Sequence, residues 1–124
     1  MSNDPRKFSW KARFKSFVYA GNGIIQFFRT EHNAQIHLAM AILVTMFCIF
    51  LRVNKNEVFA IIFSIAFVWV TEMVNTAIEK AMDFISIEKH PAIKHVKDMA
   101  AGAVLIATIA AVIVGCIIFI PKLL

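Results

Sequence analysis

Glu72, Asn75, Glu79 and Asp83 follow one another at intervals of 3, 4 and 4 residues, directly after a long apolar stretch. On a helix turning about 100° per residue, that spacing puts all four on one narrow face. Glu72 stands two residues beyond Val70, the end of the apolar run. An ionised side chain near a bilayer costs roughly 2.5 to 3.5 kcal/mol on insertion scales, and like charges one turn apart add repulsion. Three things could offset this: a divalent metal, a cluster of Lys and Arg, or protonation. Two carboxylates sharing a hard, oxygen-preferring cation is the most economical account, with Asn75 adding an uncharged donor and acceptor. The plainer alternative is a solvated helix end whose acids pair with Lys80 and Lys97. Against it stands concentration: of eight acidic residues, Glu31, Glu72, Glu79, Asp83 and Asp98 all border the same interface.

Other residues add to the chemistry or are excluded from it. Lys97 and Asp98 precede a third apolar run and are followed by Met99-Ala-Ala-Gly-Ala, whose small side chains admit a neighbouring helix. Lys97 could meet phosphate as a point charge or simply snorkel toward water. Gly21 and Gly23 could let a phosphate or a lipid head approach the backbone, but two glycines are a weak signal and helix flexibility is the favoured use for them. His32 and His37, like His90 and His95, are five residues apart, which does not share a helix face and argues against metal ligation. Cys48 and Cys116 lie in apolar runs with no ligand or disulfide pattern. No G-x-x-x-x-G-K-[ST] loop and no protein-kinase motif set is present.

These residues must be carried by membrane helices. The chain has 124 residues, 60% apolar and 17% charged, with a mean hydropathy of +0.73, where a soluble domain carries about 25% charged residues. The fold class is therefore all-α integral membrane, a single domain over 1–124, with three spans and an N-terminal surface helix. The uncharged run Ile36 to Leu51 extends back to Asn33 as the first span, at 33–51. A second begins at Val58 and continues as a cytoplasmic helical extension to about Asp83. The third covers Met99 to Ile120, closed by Pro121 and Lys122, and with Asp98 is placed at 98–120. Ahead of them, Phe14, Phe17, Gly21, Ile24 and Phe28 recur at steps of 3, 4, 3 and 4 within a helix at about 10–28, the pattern of an amphipathic helix lying in the interface.

Charge sets the direction of insertion. Arg6, Lys7, Lys11, Arg13, Lys15 and Arg29 precede the first span, and Lys80, Lys89, Lys94 and Lys97 lie between the second and third, against Arg52, Lys55 and Lys122 on the other side. Ten against three places the N-terminus in the cytoplasm and the C-terminus outside. No apolar core closely follows the first basic residues, so no secretory signal is expected. The net charge of +5 reads as attraction to anionic headgroups, and no base-stacking or groove-reading pattern suggests nucleic acid as a partner.

The stretch Glu72-Met-Val-Asn75-Thr-Ala-Ile-Glu79-Lys-Ala-Met-Asp83, then Glu88-Lys-His90-Pro, then Lys97-Asp98-Met-Ala-Ala-Gly-Ala-Val closely resembles the signature of the small prokaryotic diacylglycerol kinase and undecaprenol kinase family. The resemblance runs from about Phe14 to Ile120 and includes Ser16-Phe-Val-Tyr19-Ala-Gly-Asn-Gly23 and Glu31-His-Asn33-Ala-Gln-Ile-His37. It implies a homotrimeric, ATP- and magnesium-dependent kinase of the bacterial inner (cytoplasmic) membrane that phosphorylates the hydroxyl of a lipid alcohol. By the same resemblance Glu72 matches the general base at the lipid hydroxyl, and Glu31 and Glu79 match ligands of the Mg²⁺ that bridges the ATP phosphates. Asn75 and Lys97 match contacts to the phosphates, while Tyr19, Glu88, Lys89, His90 and Asp98 match nucleotide contacts. Asp83 matches a position without an assigned role. An ungapped match puts Ala12 where the family has an N-terminal arginine, with Arg13 adjacent. Glu31-x-Asn33, Ile36-His37, Asn75-Thr76 and His90-Pro91 look more like the undecaprenol kinase branch.

Two further expectations follow. A non-enzymatic alternative, a small proton-coupled transporter or a holin-like assembly, would use Glu72 as a titrating acid but has no need of further carboxylates on its face. Three spans and one surface helix offer few faces to enclose both a nucleotide and a lipid. Glu72 of one chain is therefore expected to work beside the Glu31 or Lys97 surroundings of a neighbour.

Overall fold

Ser9 opens the first helix by accepting the Ala12 N–H on its hydroxyl at 3.3 Å, satisfying one of the orphan donors of the first turn. In a computed structural model, which describes residues 7–124, the chain forms four helices: α1 (Trp10–Thr30), α2 (His32–Phe50), α3 (Lys55–Ile85) and α4 (Pro91–Leu123). Arg6, one of the charges counted at the N-terminal side, lies outside the described residues. The helices α2, α3 and α4 are each long and apolar enough to cross a membrane.

The joints between helices are local events. Glu31 alone separates α1 from α2: it is extended (φ −96°, ψ 123°), yet its N–H still donates to Phe27 O at 3.1 Å and its carbonyl accepts from Gln35 N–H at 3.2 Å. The chain thus turns at one residue without leaving backbone groups idle. After α2, Arg52 takes a left-handed conformation (φ 53°) and Val53 N–H reaches back to Cys48 O at 3.3 Å, the six-to-one bond of a Schellman motif with arginine in the position glycine usually fills. Asn54 then caps α3. Its Oδ1 accepts Glu57 N–H at 2.9 Å, an N-cap bond, and its Nδ2 donates to Glu57 Oε1 at 2.6 Å, which holds the capping side chain in place.

The extents of two helices differ from the sequence reading, because hydropathy marks the lipid-facing part of a helix and hydrogen bonding marks all of it. α4 starts at Pro91, seven residues before position 98, with proline at N1 where its missing N–H costs nothing. It also continues through Pro121, placed above as a stop, to Leu123: Leu124 N–H still bonds Ile120 O at 3.2 Å, so only the Ile117 carbonyl forfeits a donor. α3 spans 31 residues, roughly 46 Å at 1.5 Å per residue, well beyond a hydrocarbon core of about 30 Å. Its last turns, including Asp83, therefore project past the membrane.

α3 and α4 pack antiparallel and make the main interface of the chain. The buried residues of α3 are Ile61, Val68, Glu72 and Asn75, at steps of 7, 4 and 3, and those of α4 include Ala100 and Ala107, again 7 apart. That is the seam of a coiled-coil-like pair, with alanines on α4 letting the backbones approach. The pair is tied at the end remote from Glu72 by Lys122 and Glu57, 3.1 Å apart. α2 is held more lightly, burying only Ala34, with Phe47 against Phe119 at 6.2 Å between ring centroids. Between α2, α3 and α4 lies an apolar cleft of about 330 Å³ lined by residues including Val44, Ile61, Ile65, Val112 and Phe119. On α1, Phe14, Phe17 and Ile24 are exposed. Phe28 sits edge-on to Trp69 of α3 at 5.0 Å, and Phe27, outside the stripe read from the sequence, is the buried residue of the helix.

Candidate active site

The polar face of α3 enters the seam where the apolar run ends. Glu72 is 3% exposed and Asn75 9%, while Glu79 and Asp83, one and two turns further on, are exposed. Asn75 Nδ2 donates to Glu79 Oε1 at 3.4 Å, and Asn75 Oδ1 is buried without a partner. Among the described residues no Lys, Arg or His lies within ion-pair distance of Glu72. A buried carboxylate with no cation is costly unless something else completes it. Glu72 and Asn75 lie buried on one face of α3, and among the described residues the Asn75 Oδ1 has no partner.

Of the two cations named as possible partners of these acids, Lys97 takes Asp83 and Lys80 goes to Glu31. Lys80 Nζ meets Glu31 Oε1 at 3.1 Å, so the corner between α1 and α2 is fastened to α3 one residue from Glu79. Lys97 Nζ donates to Asp83 Oδ1 at 2.5 Å. Lys94 pairs with Asp98 one turn along α4. The solvated-pair alternative thus describes Asp83 and Glu31, but not Glu72, Asn75 and Glu79. The pairing of Lys94 with Asp98 was readable from their i,i+4 spacing; which acid Lys97 would take was not, since that contact joins two helices.

The remaining residues named from sequence are placed more loosely. Glu88 and Lys89 are exposed in the link between α3 and α4, where Glu88 N–H bonds Ser86 Oγ at 3.1 Å. His90 is the N-cap of α4, although its side chain makes no capping bond. Tyr19 is 67% exposed on α1, twelve residues and so roughly 18 Å along the helix from Glu31; one chain does not bring the two together. Gly21 and Gly23 have nothing within 4 Å of where a Cβ would stand, so no part of the chain makes use of their small size.

The donor set suits a hard cation. It consists of carboxylate and amide oxygens, with Asn75 Oδ1 lacking a partner. No group of three or more His, Cys, Asp or Glu is gathered for a metal among the described residues.

Comparison with known proteins identifies the family. Residues 18–119 match the family model described as prokaryotic diacylglycerol kinase. The chain is 42% identical over 110 residues to the undecaprenol kinase of Bacillus subtilis, covering 89% of each protein. It is 36% identical over 123 residues to the diacylglycerol kinase of Synechocystis sp., covering 96% of this chain and 70% of that one. To the diacylglycerol kinase of Escherichia coli K12 it is 45% identical over a shorter stretch of 58 residues, 47% of this chain and 48% of that one. With the match spanning all three apolar helices and the acidic face of α3, the chain belongs to the prokaryotic diacylglycerol kinase family and is, with its relatives, a lipid kinase.

Proposed function

We propose that the chain transfers the γ-phosphoryl group of ATP, with Mg²⁺, to the hydroxyl of a membrane lipid alcohol, and that undecaprenol is accepted ahead of diacylglycerol. The observation that carries this reading is Glu72, a carboxylate only 3% exposed at the end of an apolar run, with no ion pair among the described residues. A lipid alcohol is a poor acid, and a carboxylate at that depth can take its proton as the oxygen attacks the γ-phosphorus. The bond from that phosphorus to the bridging oxygen breaks as the new one forms, and ADP leaves. The lipid tail stays in the bilayer throughout, whereas extracting it would cost about 0.8 kcal/mol per CH₂.

The other residues bind and orient. Glu31 and Glu79 would hold the Mg²⁺, whose role is to neutralise charge on the phosphates. Asn75 and Lys97 reach the phosphates, where preorganised donors contribute most to phosphoryl transfer. Tyr19, Glu88, Lys89, His90 and Asp98 contact the rest of the nucleotide, and Gly21 and Gly23 face the lipid head. The identity of 42% over most of both chains to an undecaprenol kinase supports the acceptor preference.

The active particle is a homotrimer in the bacterial inner membrane, with the N-terminus cytoplasmic and the C-terminus outside, as the distribution of Lys and Arg favours. The polar site of one chain lies open: Glu79, Asp83 and Asp98 are exposed, and the 330 Å³ cleft is apolar and lined by none of the assigned residues. Neighbouring chains would supply the missing walls. Family membership does not favour the transporter or holin-like alternative. The test is magnesium-dependent transfer of labelled phosphate from ATP to undecaprenol and to diacylglycerol by the purified protein in lipid. Lipid phosphate formed faster from undecaprenol is the expected result; no product from either acceptor refutes the assignment.

A further inference from the structure

Asp83 has no role in the reading so far, yet it makes the shortest contact between the two best-packed helices near the polar site, to Lys97 at 2.5 Å. The geometry of the helices explains why the two meet. Side chains on a helix lean toward its N-terminus. α3 and α4 run in opposite directions, so Lys97 leans out of the membrane while Asp83 leans back toward it. Asp98, next to Lys97 in the chain, is already taken by Lys94, and Glu31 is taken by Lys80. Of the acids on the face of α3, Asp83 is the one that engages Lys97. It also belongs to the face that carries Glu72, Asn75 and Glu79.

We infer that Asp83 is a positioning residue: it holds the Lys97 ammonium against the acidic face of α3, so that ATP meets a placed cation rather than a mobile one. Lys97 is 35% exposed and Asp83 64% in their side chains. At that exposure an ion pair adds little to stability. Its value lies in fixing a four-carbon chain before the ligand arrives, because ordering one such side chain at binding costs about 0.5 to 1.5 kcal/mol. This inference rests on the proposed contact between Lys97 and phosphate.

The test measures affinity for a non-hydrolysable ATP analogue, together with KM for ATP and kcat, in Asp83→Asn, Asp83→Glu, Lys97→Ala and the double variant Asp83→Asn with Lys97→Ala. Asp83→Asn is expected to weaken analogue binding and raise KM up to about tenfold, the upper end of that ordering cost, with kcat and the melting temperature nearly unchanged. Asp83→Glu should recover most of the affinity, and Asp83→Asn should have no further effect once Lys97 is alanine. Unchanged or tighter binding in Asp83→Asn, or an equal loss in the Lys97→Ala background, overturns the positioning role alone. If Lys97→Ala itself binds the analogue normally, the phosphate contact of Lys97 falls and the inference falls with it.

Discussion

A buried carboxylate is costly to keep, and under the proposed function the return at Glu72, 3% exposed, is a base for the lipid hydroxyl. Glu72→Gln keeps the shape and burial of the side chain but removes its capacity to take a proton. Turnover is expected to fall by about 10² to 10⁴ with binding of a non-hydrolysable ATP analogue retained; near-normal turnover in a phosphate-transfer assay would remove Glu72 from the chemistry. Glu31→Gln and Glu79→Gln should behave differently, each taking one anionic ligand from a shared ion. Both are expected to raise the magnesium concentration at half-maximal rate, and an unaltered magnesium titration in both variants would count against the metal assignment. At this scale much was legible. The spacing of Glu72, Asn75, Glu79 and Asp83 marks one face, but burial divides that face between Asn75 and Glu79, and burial depends on the neighbouring helix α4. Hence spacing could not show that, among the described residues, Asp83 has a cation and Glu72 does not.

Among the elements, apolar runs disclose where lipid must be and leave the helix ends to capping chemistry. The short joints show this best. Nothing in Thr30-Glu31-His32 contains glycine or proline, so the break between α1 and α2 was not visible in the sequence, although it fixes the place of Glu31. Arg52 is a similar case: a non-glycine residue at φ 53° bears a cost of roughly 1 to 2 kcal/mol. Arg52→Gly is accordingly expected to stabilise the fold, by somewhat less than that because glycine also loosens the unfolded chain. A melting temperature in detergent that rises by a few degrees is the expected result, and one that falls would show that the arginine side chain contributes more than its backbone costs. Asn54 works in the opposite sense. Its side chain makes both capping contacts to Glu57, so Asn54→Ala should destabilise α3 by about 1 kcal/mol without changing KM, since the cap lies at the end of α3 remote from Glu72.

At the scale of the molecule, the unequal packing of the helices suggests how a shared site would be divided. α3 and α4 form the tightest pair and bring Asp83 and Lys97 together within one chain, so Glu72 and Lys97 are most simply parts of one chain's contribution. The sequence expectation sets Glu72 beside the Glu31 or Lys97 surroundings of a neighbouring chain; the contact between Asp83 and Lys97 favours the Glu31 half of it. α1 and α2 are held to α3 by fewer contacts, chiefly Phe28 on Trp69 and Lys80 with Glu31, and α2 buries only Ala34. If a neighbouring chain completes the site, the segment with the least invested in its own chain is the one to reach across, and it carries Glu31 and Tyr19. Two mixtures separate the possibilities. Co-reconstituting Glu72→Gln with Glu31→Gln should restore activity, because some mixed trimers then pair an intact Glu72 with an intact Glu31 from the next chain. Co-reconstituting Glu72→Gln with Lys97→Ala should restore none, since every site would still lack one of two residues belonging to the same chain. Cross-linking must show that mixed trimers form in both cases. Recovery in the second mixture would place Lys97 across the interface, and failure of the first would return Glu31 to the chain that carries Glu72.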